Sequence, residues 1–176
     1  MINTVRLRNS LGILGMLLPI IVLVLSLVNG YGFPDSISAT YYLDPCITPF
    51  MIILGAAGLL LISYRGYDRQ DDIICTLAGV FALLICLFPC SNDKMYDMQF
   101  IADIVGTFSL PRVLSGWIHN ISAVFFFLLL AYNSLFLFTK TSGNMTEKKK
   151  KRNLIFKICG IGMVVSLVCI VPLSIL

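Results

Sequence analysis

Five long runs of apolar residues alternate with short polar segments along the chain. An α-helix needs about 20 apolar residues to cross a bilayer, and a single spanning segment satisfies its backbone polar groups only as a helix. The runs reach or approach that length, so the pattern predicts an all-α transmembrane helical bundle in one integral-membrane domain, residues 1–176. The predicted spans are Leu11–Val28, Ile47–Tyr64, Ile73–Pro89, Val113–Thr139 and Leu154–Leu176.

The composition supports a membrane protein. Hydrophobic residues make up 58% of the chain and charged residues 12%, whereas soluble domains are about 25% charged. Arg6 and Arg8 before the first run also fit a secretory signal peptide, but the length of this run favours a retained helix. The fifth run stays apolar to Leu176, so either the chain ends at the far interface or a six-helix parent fold lacks its last helix here.

Lysine and arginine are concentrated in alternate polar segments. Arg6 and Arg8 precede the first run, Arg65 and Arg69 lie in "RGYDRQDD", and the cluster Lys148–Arg152 precedes the fifth run. The segment 29–46 has aspartates and no lysine or arginine, and the segment 91–112 has more aspartates than basic residues. Lysine and arginine mark the cytoplasmic ends of membrane helices. We therefore predict a multi-pass protein of a bacterial inner membrane with a cytoplasmic N-terminus. The basic cluster fits this topology and attraction to acidic lipids, and we expect no nucleic-acid partner.

The fourth run carries polar residues on one helical face. Ser115, His119, Ser122, Phe126 and Asn133 recur at helical spacing, and His119 is the one histidine of the chain. Polar groups inside a membrane helix are costly and usually face other helices or a cavity. The face is therefore predicted to point into the bundle, with His119 near the non-cytoplasmic end.

The stretch "PDSISATYYLDP" precedes the second run on the same predicted side as His119. We predict that it forms the wall of a polar pocket, with Asp93 nearby in the following acidic segment. The predicted ligand-binding residues of this pocket are Asp35, Ser36, Ser38, Tyr41, Tyr42, Asp44, Ser115, His119 and Ser122.

The residue types of this pocket bear on two chemistries, metal binding and nucleophilic catalysis. A single histidine makes a zinc site improbable, so we expect no metal and no cofactor. Nucleophilic catalysis needs a nucleophile, a base and an orienting group. The catalytic candidates are His119, Ser36, Ser38, Asp44 and Asp93, whereas the alternative is that serines and aspartates turn the loop and His119 joins two helices. Whether Cys46 and Cys90 form a disulfide is left open.

Small residues and prolines predict details of the packing. "GAAG" at 55–58 and Ala78-Gly79 are small enough to let two helices approach closely. Pro89 is expected to end the third helix because proline cannot continue the hydrogen-bond ladder.

The motifs "LRNSLGILGMLLPI", "SISATYY", "FPCSND" and "WIHNISAVFFFLLLAY" follow one another along the chain. In this order the chain resembles bacterial polytopic membrane proteins of the domain-of-unknown-function 998 type, which are similar in outline to Frag/DRAM-type membrane proteins. The resemblance implies a six-helix parent architecture. It also implies an outer polar cluster at Ser36/Ser38, at Phe88-Pro89 with Asp93, and at His119.

Three classes of function remain at this point. The leading hypothesis is a non-cytoplasmic pocket that binds a lipid headgroup or small amphiphile. The alternatives are a membrane-embedded lipid hydrolase or transferase that uses His119 with Ser or Asp, and a structural or transport subunit of a membrane complex. The expected partners are membrane lipids and a second copy of the chain.

Overall fold

The fold is an all-α bundle, as predicted. The computed structural model describes residues 4–66, 68–91, 103–140 and 146–173. Within these ranges the long helices are α1 Thr4–Val28, α2 Ile47–Ile62, α3 Arg69–Leu87, α4 Arg112–Tyr132 and α5 Glu147–Leu173. Four of the helices are long and apolar enough to cross a membrane, and the shorter apolar helix Ile47–Ile62 adds a fifth hydrophobic segment.

The helices follow the five predicted runs. The ends of α3 differ from the predicted ends, and the difference has a physical reason. α3 begins at Arg69, before the predicted Ile73, and carries Asp71 and Asp72 in its first turn. Carboxylates at this position are favoured by the positive end of the helix dipole. α3 ends at Leu87, and Phe88 adopts an extended conformation before Pro89, as proline requires of the residue before it.

Three short elements accompany the long helices. A 3₁₀ helix, Ser38–Tyr42, lies between α1 and α2. A two-residue hairpin pairs β1 Ile104–Val105 with β2 Leu110–Pro111 just before α4. A π turn, Asn133–Leu137, extends α4.

Each helix packs on the next in the chain, from α1 to α5, and α3 lies between α2 and α4. The main core joins α1, α2, α3 and α4 through Val22, Phe50, Ala78, Ala82 and Phe126. A Cβ atom on Gly79 would lie 2.5 Å from the Gly58 carbonyl oxygen. The predicted close approach of α2 and α3 is therefore confirmed at these two glycines.

The bundle has two polar ends. At the lysine end, Lys140 Nζ lies 2.8 Å from Asp68 and 2.7 Å from Asp71, and Arg65 lies 3.4 Å from Asp72. This end contains residues 63–66 and 68 between α2 and α3, and residues 138–140 beyond the π turn. At the opposite end, which we call the histidine end, the loop 29–46 lies against the segment 88–91 and the start of α4.

Candidate functional site

His119 is the centre of the histidine end. It lies two turns into α4, on the buried face predicted from the sequence, and is 2% exposed. Its Nδ1 lies 2.7 Å from the Phe88 carbonyl oxygen, and its Nε2 lies 3.0 Å from Ser38 Oγ. The ring thus joins three separate segments of the chain: the 3₁₀ helix, the end of α3 and α4.

The two contacts determine where the imidazole proton lies. A backbone carbonyl can only accept a hydrogen bond, so the neutral ring carries its hydrogen on Nδ1 and donates it to Phe88. Nε2 is then the acceptor, and the Ser38 hydroxyl donates to it. A serine nucleophile, its general base and a group that orients the base have the same arrangement. Here Ser38, His119 and the Phe88 carbonyl occupy these three positions.

The segment Phe88–Cys90 supplies three carbonyl groups to this end of the bundle. Phe88 accepts from His119, Pro89 accepts from the Ser115 hydroxyl at 2.8 Å, and Cys90 accepts from the Tyr42 hydroxyl at 2.5 Å. Residues outside a helix have no helical partner for their carbonyl groups, and buried carbonyl groups need a donor. Side chains of the 3₁₀ helix and of α4 provide these donors. We call Ser38, Tyr42, Ser115, His119 and these three carbonyl groups the histidine-end cluster.

The loop before α2 is organised largely by its own hydrogen bonds. Ser36 Oγ accepts the Ala39 N–H at 3.0 Å, and Ser26 Oγ on α1 donates to the Gly32 carbonyl at 2.8 Å. Gly30 and Gly32 have φ of 80° and 74°, a conformation that glycine adopts without strain. These contacts place Ser38, the first residue of the 3₁₀ helix, beside His119.

The predicted site residues differ in how far they are exposed to solvent. Asp35, Ser36 and Asp44 are exposed, and Ser38 and Tyr42 are half-buried. Tyr41 is half-buried and packs edge-on against Phe50 of the main core, with ring centroids 6.4 Å apart. Ser115 and Ser122 are buried on the same face as His119. Asp93 lies outside the described residues.

Sequence reasoning found the side chains of the cluster but missed its acceptors. Both ring nitrogens of His119 have partners that are not carboxylates, although an aspartate was expected to orient the ring. The missed signal is the proline of "FPC", because an extended buried segment after a helix needs donors from its neighbours. The predicted polar residues opposite it, Tyr42, Ser115 and His119, supply them.

The cysteines at this end are thiols. Cys46 and Cys90 are both buried and free, and the Cys46 thiol lies 3.6 Å from the Val22 carbonyl oxygen. Burial raises the pKa of Cys90 to about 11, so this cysteine stays protonated at neutral pH. Among the described residues, no group of three His, Cys, Asp or Glu side chains is placed to hold a metal ion.

Four exposed aromatic side chains belong to the histidine end. Phe33 is 80% exposed, and Tyr31, Phe108 and Trp117 are also exposed. Phe108, at the tip of the hairpin, also stacks on Phe88 with ring centroids 5.3 Å apart. Aromatic rings with one apolar and one polar neighbourhood are typical of the membrane interface.

Comparisons with known proteins do not assign this site, because no family model, no curated protein and no solved structure matches the chain.

Proposed function

We propose that this multi-pass membrane protein binds the headgroup of a lipid or small amphiphile at its histidine end. The proposal rests on a polar surface that carries Asp35, Ser36, Ser38 and Asp44 beside apolar helices. An amphiphile has the same division, with a polar head next to an apolar chain. The exposed aromatic residues between these two regions match the boundary between head and chain.

The hydrogen bond between His119 and Ser38 is the observation that carries the proposal. Burying an imidazole in an apolar helix is costly, and ionisable groups inside membrane helices are therefore functional candidates. Here the buried ring holds one half-buried serine hydroxyl at the surface of the loop. A ligand at this surface would meet a hydroxyl whose direction is fixed by a ring that is itself fixed by Phe88.

The proposal also covers the membrane in which the protein lies and the orientation of its two ends across that membrane. The basic residues Arg6, Arg8 and Lys148–Arg152 belong to helix ends on the lysine side of the bundle. The excess of positive charge favours the cytoplasm for this side and the outer face of a bacterial inner membrane for the histidine end. The resemblance to the domain-of-unknown-function 998 type, in which an outer serine loop and a histidine accompany each other, is consistent with this orientation.

The variant His119→Asn tests whether the contact between His119 and Ser38 is needed for lipid binding. An asparagine N–H can still reach toward the Phe88 carbonyl, but the acceptor for the Ser38 hydroxyl is lost. We expect co-purified lipid, measured by native mass spectrometry, to fall about tenfold, which corresponds to about 1.4 kcal/mol. The matched control is Ser63→Ala, an exposed position at the lysine end that should retain full occupancy.

The comparison has two decisive outcomes. Loss of lipid from His119→Asn but not from Ser63→Ala supports a ligand site at the histidine end. Equal lipid occupancy in the wild type and both variants would mean that the histidine-end cluster has no part in binding, and the proposal would fail.

A further inference from the structure

Ser38 differs from Ser36 and Ser115, two other serines of the histidine end. Ser36 Oγ accepts a backbone N–H, and Ser115 Oγ donates to the Pro89 carbonyl. Ser38 Oγ instead lies 3.0 Å from an imidazole nitrogen that can take its proton. This distance lies within the range expected for a nucleophile and its general base.

The base itself is oriented from behind. The Phe88 carbonyl fixes the tautomer in which Nε2 is unprotonated and faces Ser38. A carbonyl in this position orients the ring but carries no negative charge, so it stabilises an imidazolium less than an aspartate would. We therefore expect a modestly activated serine, suited to esters rather than to amides.

We propose that Ser38 is a nucleophile toward carboxylic esters of membrane amphiphiles, with His119 as its general base. The proposal rests on the proposed function, since the ester must reach the histidine end. Esters are favoured over amides because an alkoxide leaves more readily than an amine anion. The acyl esters of membrane lipids also lie at the border between headgroups and hydrocarbon. Ser38 would lie at a similar depth, because its partner His119 is two turns into the apolar helix α4.

The step is an acyl transfer. Ser38 Oγ forms a bond to the ester carbonyl carbon while its proton passes to His119 Nε2, and the bond from that carbon to the alcohol oxygen breaks. His119 returns the proton to the departing alcohol oxygen. A water molecule then attacks the acyl-serine with His119 again as base, which releases the fatty acid and restores the serine hydroxyl.

A fluorophosphonate probe tests this reactivity without knowledge of the natural ester. The full-length protein in detergent is treated with the probe, and peptide mass spectrometry locates the adduct. We expect an adduct on Ser38 and none on Ser36, the exposed hydroxyl two residues away that contacts the Ala39 N–H. In His119→Asn the rate of labelling should fall by a factor of about 100 or more.

The outcomes distinguish the two proposals. Labelling of Ser38 that depends on His119 supports the nucleophile, and competition by an added ester lipid places the substrate at the same site. An absence of adduct, or equal labelling of Ser36 and Ser38, overturns it, and this comparison within the wild-type chain stands even if His119→Asn does not fold. If lipid still co-purifies in that case, the binding proposal survives and the catalytic one does not.

Discussion

At the residue scale, the histidine-end cluster satisfies polar groups that would otherwise be stranded in an apolar environment. Tyr42, Ser115 and His119 each donate to one of three consecutive carbonyl groups. In a low-dielectric interior such bonds are strong, and the loss of one partner leaves the other unpaired at a cost. The cluster therefore has a structural role in addition to the proposed one, and the two need separate measurements.

Tyr42 provides a test of the structural role that leaves His119 and Ser38 unchanged. Burial raises the pKa of its phenol above the ordinary value, so the hydroxyl stays protonated and donates to the Cys90 carbonyl. Tyr42→Phe should lower the free energy of unfolding by about 1–3 kcal/mol, since a partly buried carbonyl loses its donor. Thermal or denaturant unfolding in detergent measures the change.

The control for this substitution is Tyr31→Phe, which removes the same hydroxyl from an exposed ring at the same end of the bundle. It should change the unfolding free energy by less than about 0.5 kcal/mol. Equal effects of the two substitutions would contradict the structural role given to Tyr42.

The sequence predicted the buried face of one helix well, but it could not predict contacts between residues that are far apart along the chain. The buried face of α4, with Ser115 and His119, follows from helical periodicity within one run. The pairing of Ser38 with His119 joins residues 81 positions apart, so the sequence placed both at one end without showing which serine makes contact. The carbonyl acceptors escaped prediction because backbone groups have no residue type to mark them.

At the element scale, the contact between α2 and α3 depends on glycine. Gly58 and Gly79 face each other, and the backbone oxygen of each lies within 3.0 Å of a Cβ atom built on the other. Without a hydrophobic driving force between helices in lipid, such close packing contributes much of the attraction between them. Gly55 lies on the same helix as Gly58, but a Cβ atom there would meet nothing within 4 Å.

Alanine substitutions separate these positions. Gly79→Ala should destabilise the protein by about 1–3 kcal/mol, because the methyl group would push α3 away from the Gly58 carbonyl and Ile62. Gly55→Ala is the matched control and should be neutral or slightly stabilising, since alanine is the better helix former. A Gly79→Ala protein with wild-type unfolding behaviour would show that the two helices are not in close contact.

Helix periodicity predicted the long elements well because each run carries its own signal. Asp71 and Asp72 account for the start of α3, and Pro89 accounts for its end. The π turn at Asn133–Leu137 and the hairpin before α4 are short and depend on contacts with neighbouring helices. No local pattern of apolar residues identifies elements of this length.

At the scale of the whole molecule, apolar helices separate two polar ends of different chemistry. The lysine end is held by ion pairs, and its hydrogen bonds to Asp68 and Asp71 raise the pKa of Lys140. Lys140 therefore makes its full contribution to stability below the ordinary lysine pKa of about 10.4, and that contribution falls as pH rises from there to the higher folded pKa. The histidine end instead contains neutral donors and acceptors bordered by exposed aromatic residues.

The proposed function requires that the two ends lie on opposite sides of a membrane, with the histidine end outside. Single cysteines at Ser36 and Ser63 report on the two ends, because both positions are exposed. They are introduced into a protein in which the exposed Cys159 and Cys169 are alanine, and bacterial spheroplasts are treated with a membrane-impermeant maleimide. The account predicts labelling at Ser36→Cys and protection of Ser63→Cys until the membrane is permeabilised. Labelling of Ser63→Cys alone would reverse the orientation, and labelling of both from outside would contradict the account.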